Sequence, residues 1–142
     1  MNILDNLPSI VSLPIEYRDS PHSERHHREV IYLLEKKLTS NPKCVQSLRE
    51  WITSYHKLAS IHQQKGELET AQKCLLIPHQ SMLYMAENNN GDEDIELIAI
   101  KAINSTLPPL LEFAKVYPPC ENCMQKLRSQ LAIINNDDTK YH

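Results

Sequence analysis

The chain has 142 residues, with 15 Lys and Arg against 18 Asp and Glu, so it is one ordinary domain in size and nearly neutral at −3. Positive charge is clustered in neither half, which argues against a phosphate-backbone binder and leaves no nucleic-acid partner expected. No apolar run nears the ~18 residues of a membrane helix, and the start "MNILDNLPSIVSLPIEYR" lacks a basic signal-peptide head, so no membrane partner and a cytoplasmic location are expected.

Two glycines and nine prolines set the punctuation. Open sheets and phosphate-cradling loops need glycine-rich turns, and neither Gly66 nor Gly91 lies in such a pattern. Between the prolines the apolar spacing is helical nearly everywhere, which predicts an all-α chain. Residues 1–19, with Pro8 and Pro14 among scattered Leu, Ile and Val, read as an extended N-terminal arm. Ser20 then caps a helix with Pro21 at its first position, where a missing N–H does no harm. His27, Val30, Ile31, Leu34 and Leu38 share one side of that helix at ~100° per residue. Asn41-Pro42 stops it.

The next helix is predicted from about Lys43 to Lys65. Val45, Leu48, Trp51, Ile52, Tyr55, Leu58, Ala59 and His62 form its inward stripe. Gly66 turns the chain into a further helix with Leu68, Ala71, Leu75, Met82 and Met85 as core positions, and Pro78 interrupts or kinks it. "ENNNGDED" is an exposed loop, from which Asp92 or a neighbour caps a helix over 93–107. Pro108-Pro109 are expected to break or kink that helix, leaving a short piece to Tyr117. Pro118-Pro119 then open a last helix to about Asn135, followed by a tail over 136–142. The body is thus a single domain over 20–135.

"YHKLASIHQQKGELETAQKCL", residues 55–75, carries a more specific pattern. With Gly66 at the turn, Tyr55, Leu58, Ala59, His62, Ala71 and Leu75 fall where a tetratricopeptide (TPR) repeat has its aromatic, Leu-Gly, aromatic, small and large apolar residues. The segment resembles one such 34-residue repeat, with Pro78 standing where the family usually has alanine. The whole chain, including "YPPCENC", is similar to small uncharacterised bacterial TPR-like proteins. The resemblance implies about five or six helices stacked as antiparallel hairpins, and one repeat needs neighbours to bury its faces. It also implies a groove for a peptide or protein partner, with Thr53, His56, Ser60, Gln63 and Gln64 as the corresponding positions. Singly, each reads more simply as a solvated helix face.

Other residues raise chemistry. Cys120 and Cys123 in "PPCENC" sit at a helix start, where the dipole favours thiolate, suiting redox exchange or half of a zinc site. Against this, no βαβ pattern precedes them and no second CxxC or spaced His pair lies nearby. At ~100° per residue Cys120, Cys123, Leu127, Leu131 and Ile134 fall within one ~80° sector, so both thiols are expected on the core stripe as small hydrophobes. His22 and His26 are four apart with Glu29 on the same side, a chelating spacing that reads first as an exposed helical turn. His27 is expected to pack towards the core with one hydrogen bond. No nucleophile or metalloprotease signature occurs, and "GDEDIE" lacks the twelfth-position glutamate of an EF-hand.

The sequence therefore points to a non-catalytic protein- or peptide-binding or scaffolding module without a cofactor. A zinc or thiol-redox protein using Cys120 and Cys123 is the main alternative, and a homo-oligomeric structural subunit is a third.

Overall fold

The structure, a computed structural model, describes residues 21–119 and 121–130, with side chains from Glu24 onward. The described residues are helical without strands: α1 (Pro21–Ser40), α2 (Val45–Gln64), α3 (Leu68–Glu87), α4 (Glu93–Val116) and α5 over residues 121–130. The arm over 1–19, the capping role of Ser20, Cys120 and the tail over 136–142 lie outside them.

Periodicity made these helices, and packing holds them. Ile31 and Leu34 of α1 are buried against α2, whose face of Leu48, Trp51, Ile52, Leu58, Ala59 and His62 is buried in turn. Val45 is the exception to the expected stripe: it is 44% exposed, while Ser47 and Leu48 in the same turn are buried. Burying a side chain such as Leu58, which is 0% exposed, contributes roughly 1.5–3 kcal/mol. Connections of three to five residues force antiparallel neighbours, so α1 packs on α2, α2 on α3 and α3 on α4. It follows that α1 and α3 run in the same direction on either side of α2.

Local chemistry sets the turns. Gly66 adopts φ +81°, and the Gly66 and Glu67 amides donate to the carbonyls of Gln63 (3.0 Å) and His62 (2.8 Å), a Schellman ending for α2. Beneath it, Ala59 and Ala71 are 3% and 0% exposed, small enough to let α2 and α3 approach closely. Asp92 caps α4 by accepting from the amides of Asp94 and Ile95 at 3.0 and 3.2 Å. Lys43 bridges to Asp92 and Asp94 at 3.1 and 3.4 Å, tying the α1–α2 connection to that cap.

At two proline sites the expected break or interruption is corrected. Pro108 and Pro109 do not end a helix: α4 runs through them to Val116. Each removes one backbone bond, to the carbonyls of Asn104 and Ser105, and both of those residues are exposed to water that can satisfy the freed oxygens. Thr106, Leu107, Leu110, Phe113 and Ala114, all buried, hold the helix on both sides of the pair. Pro78 is likewise inside a continuous α3, buried between Cys74, Leu75 and Met82 on the same helix.

Candidate functional site

Between α1 and α3, over α2, lies a hollow of about 310 Å³. Leu48 and Trp51 of α2 form its floor, Leu38 and Pro42 line one side, and Met82 and Met85 line the other. Its polar groups are Glu35, Thr39 and Ser81. Trp51 donates its indole N–H to Glu35 Oε2 at 3.1 Å and meets Tyr55 edge-on, with ring centroids 5.1 Å apart. The indole is thereby fixed and its one donor satisfied. At ~100° per residue, Tyr32 lies beside Thr39 on α1 and Ile77 beside Ser81 on α3. Both are exposed, at 58% and 40%, and neither lines the hollow; Lys36 Nζ lies 4.7 Å from the centre of the Tyr32 ring.

The wall of the bundle beyond Tyr55 is charged. His62, 5% exposed, lies between α1 and the α2–α3 turn. Its Nδ1 is 2.6 Å from Glu67 Oε1 and its Nε2 is 3.1 Å from Arg28 Nη2. Because a guanidinium only donates, Nε2 accepts from Arg28, and Nδ1–H donates to Glu67. Arg28 also donates to Glu24 at 3.3 Å, and Lys65 reaches Glu24 at 2.9 Å. Lys65 foremost, then Arg28, hold the Glu24 carboxyl below its usual value against the opposing effect of burial. This network pins α1 to the α2–α3 hairpin, and every polar atom of the His62 ring is engaged in doing so.

The residues expected to meet a partner take another place. Thr53, Ser60, Gln63 and Gln64 are exposed on α2, and His56 is half-buried with a fully buried Nε2 that has no hydrogen-bond partner. At ~100° per residue they lie roughly 120–180° around the helix from Trp51, and none lines the hollow. Burial holds the His56 imidazole below its usual value. His27 is half-buried towards the core, but in place of the expected hydrogen bond its Nδ1 is buried and unpartnered, and burial, then the neighbouring charges of His26 and Lys57, lower it too. His26 and Glu29 are exposed, and the side chain of His22 lies outside the described set.

Cys123 corrects the core-stripe expectation, being exposed. Its angle places it on the side of Leu127, but angle does not say how far along the axis a neighbour reaches. Cys120 lies outside the described residues. Among the described residues no group of three or more His, Cys, Asp and Glu is placed to hold a metal ion. Two thiols that the sequence reading passed over differ sharply. Cys44, at the α2 N-cap position, lies 3.2 Å from Ser47 Oγ, and that contact chiefly lowers its thiol below the usual value. Cys74 is buried on α3 and burial raises it.

The family scan matches residues 16–142, nearly the whole chain, to one family. The chain belongs to the family described as "Protein of unknown function (DUF2753)". No curated protein and no solved structure matches it. Among the described residues of this family member, no helix is long and apolar enough to cross a membrane.

One more buried group escaped the sequence reading. His79, 2% exposed, lies 2.9 Å from Thr106 Oγ1 and 2.7 Å from Gln130 Oε1. The available signal was its place four residues after Leu75 and three before Met82, on the apolar stripe of α3.

Proposed function

We propose that the chain is a non-catalytic binding module of TPR-like helical hairpins that holds a segment of a protein partner. The observation that carries this reading is the open, largely apolar hollow between α1 and α3, with a fixed indole on its floor and methionines on its wall. Methionine repacks readily around differing apolar side chains, and tryptophan offers a large contact area at low entropic cost. The His62 network favours a binding role over a catalytic one, since its imidazole nitrogens are both committed to holding helices. Such a module is expected to work without a cofactor, in the cytoplasm.

The test compares three forms of the full chain as bait in the native host: wild type, Thr39→Arg with Ser81→Arg at the hollow, and Thr53→Ala with Gln63→Ala on the opposite face. A partner retained by wild type and the second pair, lost with the first, and reconstituted as a purified two-component complex supports the hollow. Loss only with Thr53→Ala and Gln63→Ala moves the site to the face first expected. Equal retention by all three forms refutes both.

A further inference from the structure

His79 is the point at which three helices meet through polar groups. It belongs to α3, Thr106 to α4 and Gln130 to α5. The amide oxygen of Gln130 only accepts, so Nε2 carries the proton and Nδ1 is bare, taking the hydroxyl proton of Thr106. Both ring nitrogens are therefore satisfied while the ring is neutral. Adding a proton at Nδ1 makes it a donor, and Thr106 must turn its own hydroxyl to the Ile103 carbonyl, 3.4 Å away. The resulting cation would sit in a site 2% exposed.

Among the described residues of the helices that meet at it, no buried counter-charge faces it. Every Asp, Glu, Lys and Arg on α3, on α4 and on residues 121–130 is exposed. The other titratable groups of α3, Cys74 and Tyr84, lie ~140° around that helix from His79. On α2, His62 is held by Arg28 and Glu67, and His56 is lowered by burial alone. Burial chiefly disfavours the charged His79 ring, and the Gln130 carbonyl opposes it only in part.

The described part of α5, residues 121–130, is held by half-buried side chains. Among residues 121–130 none is fully buried; Met124, Leu127 and Gln130 are half-buried, and Leu127 packs against the core. Separating it from α3 and α4 opens the Nε2 side of His79 to water, where an imidazolium is stable. We propose that α5 is an acid-released element of the fold, latched by neutral His79 and loosened when His79 takes up a proton. Linkage of one proton shifts the docking equilibrium by up to about ten-fold for each pH unit below about 6.5.

Hydrogen–deuterium exchange on the full chain tests this, with protection corrected for the intrinsic exchange rate at each pH. Between about pH 6.5 and about pH 5.5, protection of residues 121–130 should fall up to ten-fold, from a level already below that of α2. In His79→Gln, which keeps a donor towards Gln130 and does not titrate, that loss should vanish. Protection of residues 121–130 equal to that of α2 throughout, no loss in wild type, or the same loss in His79→Gln, overturns the proposal. Should that variant lose its helical circular dichroism, nuclear magnetic resonance of the wild type decides. The His79 ring and the 121–130 amides must then titrate together, and movement of either without the other refutes the latch.

Discussion

Replacing Gly66 with alanine isolates one physical effect. Gly66 has φ +81°, and a Cβ built on it meets no atom within 4 Å. Steric overlap with the rest of the protein therefore contributes nothing, and the cost is that of holding an L residue in the left-handed region, about 1–2 kcal/mol. The unfolded chain offsets part of this, because alanine loses about 0.4–1 kcal/mol less conformational entropy than glycine. The net loss is about 1 kcal/mol. For a chain of this size that lowers Tm by about 3–5 °C. Asparagine tolerates the same region, so Gly66→Asn should lose only about half as much. Urea unfolding followed by circular dichroism gives both values with unchanged slope. An alanine variant as stable as wild type, or an asparagine variant as damaged as alanine, would mean that the turn does not depend on the backbone conformation described for it.

Further outcomes are expected. Ala71→Leu should cost about 1–3 kcal/mol by overpacking a site that is 0% exposed beneath the same turn, and an unchanged Tm would remove the close α2–α3 contact. His27, His56 and His79 are all lowered by burial, so the unfolded chain binds protons first as pH falls below about 6.5. Stability should therefore be full above that pH and drop below it, by up to about 1.4 kcal/mol per pH unit from His79 alone; chemical denaturation at several pH values that shows no loss down to about pH 5 refutes this. In native protein Cys44 should alkylate quickly and Cys74 slowly, by mass-resolved labelling, because one thiol is half-exposed and lowered while the other is buried and raised. Equal rates would contradict the burial of Cys74. Purified protein should contain no stoichiometric zinc by elemental analysis, whereas zinc that Cys120→Ser and Cys123→Ser abolish would establish the metal alternative.

The features readable from sequence were those carried by neighbours along the chain. Three- and four-residue spacing fixed α2 from Leu48 to His62, Asn41-Pro42 ended α1 at Ser40, and Asp92 capped α4 as its position before "EDIE" implied. Gly66 is of the same kind, since only local φ and a pair of local hydrogen bonds decide it. Tertiary structure decided the rest. Pro108-Pro109 looked like a break because the local cost of proline is visible in sequence, while the buried residues that outweigh it are not. The hollow depends on how far apart α2 holds α1 and α3, a distance with no counterpart in the order of residues. Trp51 could be read as apolar, but not as the floor of an open site bonded to Glu35, 16 residues earlier. His79 finds its partners 27 and 51 residues away. A buried polar side chain is defined by what it meets, and periodicity supplies only the direction in which it looks.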